Sequence, residues 1–240
     1  MVKEQIFVND NPTGWNKIED EFGNVFDDKH LVTDDLHGME VNLTHYPKGF
    51  YKKSHIHTMA HGMLILSGKC RLENDVYGPG TFIWMPEGYI GGHGATEDSD
   101  LTFVFIANKP FGLSYVEDGS VGEIKAEICN LYEINDWTTI EAENGWSFLD
   151  KSLVADEETG MIVNVTKYPK GYYKPRHVHP MSHGMMILEG KMKTETGIYG
   201  PGNFIWDPAG LITSHGATDE CDVLYVFVAT QPFQISYPEK

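Results

Sequence analysis

Apolar and polar residues alternate with a period of two along much of the chain. Met39-Glu40-Val41-Asn42-Leu43-Thr44-His45-Tyr46 is the clearest run, and alternation of this kind sends successive side chains to opposite faces of a strand. Pro47-Lys48-Gly49 ends it as a turn, and Phe50 to His57 is again extended. The series continues with Met63-Leu64-Ile65-Leu66 closed by Gly68, Lys69 to Tyr77 ended by Gly78-Pro79-Gly80, Thr81 to Met85 stopped by Pro86-Glu87-Gly88, and Leu101 to Ala107. Short strands punctuated by glycine and proline at this interval predict an all-β sandwich or barrel. Trp15 to Asp28 and Trp137 to Asp150 fit either a helical turn or a short strand.

The pattern occurs twice. Shifted by 122 residues, the chain matches itself without gaps from Trp15/Trp137 to Tyr115/Tyr237, and more weakly at Val2/Ile124, Lys3/Lys125 and Ile6/Ile128. More than half of the positions from Gly38 to Tyr115 are identical to their partners, which identifies an internal duplication. Val116-Glu117-Asp118-Gly119-Ser120-Val121-Gly122 has the polar, glycine-containing composition of a linker. The expected domains are therefore 1–118 and 119–240, each long enough for its own core.

The polar residues interrupting this pattern carry the candidate chemistry. His55-Ile56-His57-Thr58-Met59-Ala60-His61 recurs as His177-Val178-His179-Pro180-Met181-Ser182-His183. Residues i and i+2 of a strand share a face, so each His-x-His pair can converge on one ion, and the third imidazole can face them if the strand runs on or folds back as a hairpin. A zinc-protease reading fails because no glutamate follows the first histidine. A metal-free pH sensor is disfavoured because packed imidazoles would repel one another when protonated. Of the 11 histidines, His30, His37 and His45 face Ser152, Thr159 and Lys167 in the other copy and are read as solvent-exposed and without a role.

Net charge and cysteine content narrow the partners. A formal charge of −17 repels phosphate backbones, so nucleic acid is excluded as the expected partner. No apolar run approaches a membrane span, and Met1-Val2-Lys3-Glu4-Gln5 lacks the apolar segment of a secretory signal. Three cysteines, Cys70, Cys129 and Cys221, fit free thiols and a cytoplasmic location better than a disulfide scaffold.

These residues resemble the cupin superfamily. Gly49, His55-x-His57, His61 and Gly68 are similar to its first motif, with histidine in place of the usual glutamate at His61; Gly80, Pro86-x-Gly88 and His93 are similar to its second. Gly171, His177, His179, His183 and Gly190, then Gly202, Pro208, Gly210 and His215, repeat both. The second motif departs from the family by having four residues, instead of two, between its last glycine and its histidine. The resemblance spans almost the whole chain as a tandem cupin, or bicupin, and implies two jelly-roll barrels. It also implies that His93 and His215 complete two metal sites with His55, His57, His61 and His177, His179, His183. The run Tyr77 to Ile83 is similar, more weakly, to the branch containing the ChrR cupin domain and acetylacetone dioxygenase.

The resemblance implies one divalent transition metal per domain, with iron(II) the first expectation and zinc, nickel, manganese or copper the others. Four neutral imidazoles leave the ion its full charge, so it stays electrophilic. The first functional expectation is a metal-dependent oxidoreductase, a dioxygenase acting on a small organic substrate such as a diketone or hydroxyketone. An oxygen-independent isomerase or lyase and a non-catalytic metal-binding or sensing bicupin remain alternatives. The substrate partner is a small molecule, and monomer and homodimer are both compatible with a tandem cupin. Met59, Met63, Met181 and Met185 are read first as core and second as cavity lining, as are Phe82, Trp84, Phe204 and Trp206. Tyr51, Tyr173, Tyr77 and Tyr199 are considered as proton donors, and Arg176 as a surface residue.

Overall fold

The structure is a computed structural model that describes residues 3–8, 13–142 and 145–238. Among them every regular element is a strand, and no helix is long and apolar enough to cross a membrane. The chain forms two compact units, one over 13–133 and the other over 134–238 together with 3–8. They are called here the N-terminal and C-terminal barrels.

Each barrel pairs a large antiparallel sheet with a small one. In the N-terminal barrel the large sheet runs in the order Glu127–Asn130, Thr81–Met85, His61–Gly68, Leu101–Ala107, Glu40–Tyr46, Val25–Thr33, Asn16–Glu19. The small sheet runs Leu113–Tyr115, Tyr51–His57, Ile90–Ala95, Cys70–Leu72, Asp75–Tyr77. The C-terminal barrel repeats this, from Gln5–Val8 through Asn203–Asp207, His183–Glu189, Val223–Ala229, Ile162–Tyr168 and Ser147–Ala155 to Thr138–Glu141. Its small sheet runs Tyr173–Val178, Ile212–Ala217, Met192–Thr194, Ile198–Tyr199, and a bridge from Val178 to Ser236 replaces the outer strand. The undecided segments after Trp15 and Trp137 are strand hairpins.

The compact units are not the chain-order partition 1–118 and 119–240. Gln5–Val8 pairs with Asn203–Asp207, and Glu127–Asn130 pairs with Thr81–Met85. Each repeat thus sends its leading strand to the large sheet of the other barrel. The linker reading of 116–122 locates where the repeat begins, and the next strand still belongs to the barrel behind it.

The core follows from the alternation. Met63, Ile65, Ile83, Met85, Leu101 and Phe103 form one interior cluster, and Met185, Ile187, Ile205, Val223, Tyr225 and Phe227 belong to its counterpart. Met59 and Met181 are buried as well. Burying a leucine- or methionine-sized side chain contributes about 1.5–3 kcal/mol, so these clusters supply much of each barrel's stability. Gly68 and Gly190 close the strand after the first motif at φ of +81° and +76°; a Cβ on either would lie 1.8 Å from the carbonyl oxygen of Asp100 or Asp222, so only glycine fits.

The expected path after His57 needs correcting. The strand neither continues nor folds back as a hairpin. It ends at His57, turns through Thr58-Met59-Ala60 and enters the opposite sheet at His61. The imidazoles of one motif therefore approach the interior from two facing sheets, which a hairpin within one sheet could not achieve.

Candidate metal centre

The first motif places His55 and His57 on the inner face of Tyr51–His57, and the crossing turn places His61 opposite them. The second motif brings in His93 from Ile90–Ala95, which pairs with Tyr51–His57. His55 lies opposite Gly91 and His93 opposite Lys52, so three residues on one strand span two on the other. This bulge keeps His55, His57 and His93 on one side. The same irregularity lies between Lys174 and His177. The two additional residues in the second motif are thereby accommodated without turning His93 or His215 outward.

The eight motif histidines are all buried, none more than 4% exposed. In the N-terminal barrel, His55, His57 and His93 offer nitrogens all within 4.8 Å of one another. Ring centroids are 4.7 Å apart for His55 and His57, 5.0 Å for His55 and His93, and 4.2 Å for His57 and His61. In the C-terminal barrel the corresponding separations are 4.9, 5.0 and 4.5 Å. His30 is exposed as expected, whereas His37 and His45 are partly buried, the latter with its Nδ1 3.1 Å from the Thr102 hydroxyl; none of the three joins the cluster.

Backbone carbonyls fix several of these rings. Nδ1 of His55 bonds the Lys53 carbonyl at 2.7 Å, and Nδ1 of His57 bonds the Gly112 carbonyl at 2.9 Å. His177 and His179 repeat this against Pro175 and Gln234. A carbonyl only accepts, so Nδ1 carries the proton and Nε2 keeps its lone pair for the interior. Burial, reinforced by neighbouring imidazoles and lysines, pushes the histidines far below their ordinary range: His61 to about 3, His55, His177 and His179 to about 4. His57, His93, His183 and His215 shift the same way.

His55, His57 and His93 fit a divalent ion, whereas His61 and the C-terminal four lie outside that 4.8 Å limit and share only the ring spacing and the burial. Both ring nitrogens of His93, Nε2 of His177 and Nδ1 of His215 are buried without a hydrogen-bond partner. A buried polar atom left unpaired costs roughly 1–3 kcal/mol, and several in one place are explained most economically by a shared cation. Such an ion is bound by neutral imidazole, the form that burial enforces here.

A cavity of about 210 Å³ opens on the N-terminal set, lined by His57, His93, Tyr46, Phe103, Phe105 and Phe111 among others. One of about 220 Å³ occupies the same place in the C-terminal barrel. The alternation did not reveal two lysines on these walls, Lys52 and Lys174, each 7% exposed. An unbroken strand with His55 and His57 inward would point Lys52 outward; the bulge reverses it. The readable signal was Pro175, because proline within a strand marks an edge or a bulge. Phe82, Trp84 and their counterparts do not line either cavity and pack over Gly62 and Gly184 instead. Tyr51, Tyr77, Tyr173 and Tyr199 are also absent from these walls. Arg176 is exposed and pairs with Glu195 at 3.0 Å, as a surface residue does.

The barrels differ behind the third histidine. Met85 lies opposite His61, but Asp207 lies opposite His183, with its Oδ2 3.6 Å from Nε2. The residue just before the leading strand is Glu4, where the N-terminal barrel has the apolar Ala126 against its core. Glu4 accepts hydrogen bonds from Thr194 and Thr196 through Oε1, and its carboxylate faces the Asp207 carboxyl. Burial first, and Glu4 second, pushes the Asp207 carboxyl up to about 8. Folded Asp207 then holds a proton that the unfolded chain releases above pH 4, so it costs stability increasingly from pH 4 to 8. In chelated, metal-free protein Asp207→Met, which copies Met85, is expected to raise the melting temperature by roughly 5 °C or more at pH 8. Thermal melts at both ends should show that gain fading near pH 4; a gain independent of pH would contradict this assignment.

The family model for the ChrR cupin-like domain matches residues 3–111 and again 129–234. No curated protein matches the sequence. Among solved structures, a candidate dioxygenase of Nostoc punctiforme superposes with a TM-score of 0.81 at 14% identity, covering 99% of this chain and 88% of that one. The oxalate decarboxylase of Bacillus subtilis, studied for its Mn(II) centres, superposes at 0.60 with 13% identity, over 96% of this chain and 78% of that one. At these identities the structural likeness speaks for the fold alone. The doubled histidine motif, the doubled jelly roll and the doubled family match agree: the chain belongs to the ChrR cupin-like family, with two such domains in tandem.

Proposed function

We propose that each barrel holds one divalent metal ion on its four histidines and that the chain is a metal-dependent dioxygenase acting on a small organic molecule. The observation that carries this reading is a set of buried neutral imidazoles, with unpaired nitrogens, facing a mostly apolar cavity. His55, His57, His61 and His93 would hold the first ion, and His177, His179, His183 and His215 the second. An ion held by neutral ligands supplies an uncompensated positive charge that binds anionic oxygen and, if it is iron(II), reacts with O₂. The chain's own part is to keep the imidazoles unprotonated, orient them through the Lys53, Gly112, Pro175 and Gln234 carbonyls, and line the cavity with aromatic rings that limit water.

The test is oxygen uptake by iron(II)-loaded protein offered β-diketones, hydroxyketones, thiols and catechols. Substrate-dependent uptake, absent from zinc-loaded protein, is expected for at least one class. No uptake at full iron occupancy would replace this reading with the oxygen-independent or binding ones.

A further inference from the structure

Lys52 and Lys174 are ammonium groups placed where burial disfavours charge. Neither Nζ has a hydrogen bond or an ion pair among the described residues. Aromatic faces surround them instead: Phe26 at 4.9 Å and Phe111 at 6.0 Å from Lys52, and Phe148, Phe233 and Tyr168 at 5.5, 5.7 and 5.9 Å from Lys174. The neighbouring carboxylates, Asp20 and Asp28 for Lys52 and Asp150 for Lys174, act on the ammonium groups only from beyond ion-pair distance. Asp28 accepts from the Thr44 hydroxyl at 2.8 Å, and Asp150 accepts from Thr166 at 2.7 Å and Asn164 at 2.9 Å.

A buried ammonium without a direct hydrogen-bonded partner is destabilising unless something pairs with it. A lysine kept only for packing would be better replaced by methionine. Yet the arrangement occurs twice, with the same bulge, the same Asp–Thr pair and a histidine on the same cavity wall. Rings flanking the ammonium provide room for an apolar body beside it.

We infer that Lys52 and Lys174 each pair with the anionic oxygen of a small organic anion, a carboxylate or enolate on a short apolar body, bound in the cavity beside the histidines. This deepens the functional reading by naming the substrate class and shares with it the assumption that the cavity is the substrate site. It does not depend on which ion is present.

Calorimetric titration of the full chain, zinc-loaded and again after chelation, separates this inference from the metal reading. The probes are 4-methyl-2-oxopentanoate, its neutral methyl ester, and acetylacetone as the enolate source. Two molecules of the acid or of acetylacetone per chain are expected, falling to one in Lys52→Met or Lys174→Met. The double variant should bind about 10- to 100-fold more weakly, with unchanged metal content and a melting temperature raised by several degrees. A lysine that merely fills space would not couple weaker binding to greater stability. Lysine-dependent binding of the acid marks a carboxylate site, and of acetylacetone an enolate site; either supports the inference. Equal binding of both probes by wild type and double variant, or of ester and acid by wild type, overturns it. Lysine-dependent anion binding in a protein that takes up no metal would remove the metal reading and leave this one standing.

Discussion

Metal-free protein is expected to lose its fold as the pH falls from 6.5 toward 4. The eight motif histidines are buried and neutral when folded, and each regains a pKa near 6.5 when the chain unfolds. Between those values the unfolded chain binds protons that the folded chain does not, so stability falls with falling pH, by about 1.4 kcal/mol per pH unit for each histidine. Four in one barrel give roughly 5 kcal/mol per unit, comparable to the whole stability of a domain at about 5–15 kcal/mol. Asp28, Asp150 and Asp207 act in the opposite sense, because burial raises them and acid removes the cost of their charge. Three carboxyls against eight imidazoles leave the imidazoles dominant. Thermal melts from pH 8 to 4 in chelator should collapse below about pH 6, and excess zinc should shift the collapse to lower pH, since the ion binds only the unprotonated ligands of the folded chain. A flat profile to pH 4.5 without metal would mean that the imidazoles reach solvent.

Much of this site was legible in the sequence, for a specific reason. A His-x-His pair on a strand has one geometric consequence, a shared face, and its recurrence 122 residues later fixes the number of sites. Alternation around Met39 to Tyr46 gave the strands, and glycine and proline gave their ends. What period-two reading misses is any residue whose face is set by a register shift. Lys52 is such a residue: one bulge at Lys53-Ser54 turns it inward, and only Pro175 in the other copy signals the irregularity. The leading strands are illegible for another reason. The weak match of Ile6 to Ile128 shows only that the repeat reaches back that far, and a free sheet edge accepts a strand through backbone groups that carry no sequence label. Glu4 and Asp207, nearly the length of the chain apart, meet only because of that exchange.

Removing His93 is expected to reduce the metal content from two ions per chain to one. His93 is the histidine that the lengthened second motif separates from the family spacing, and it reaches the cluster through the bulge in the neighbouring strand. Its nitrogens find no partner in the protein, and its ring stacks at 15° to that of Tyr46, with centroids 6.3 Å apart. Loss of an outer partner costs about 10- to 100-fold in metal affinity, so loss of a ligand should exceed about 100-fold. His93→Gln keeps a polar side chain at the site, and His93→Ala tests the result without one; plasma emission analysis after gel filtration reads the stoichiometry of both. His57→Ala should act likewise, and His215→Gln should empty only the C-terminal barrel. His45→Ala removes a histidine outside the cluster and should leave both ions. Because each set of four comes from strands of one barrel, loss of both ions from a folded His93 variant would require one site drawing on both sets. Retention of both would mean that His55, His57 and His61 hold their ion unaided, leaving His93 a wall of the cavity.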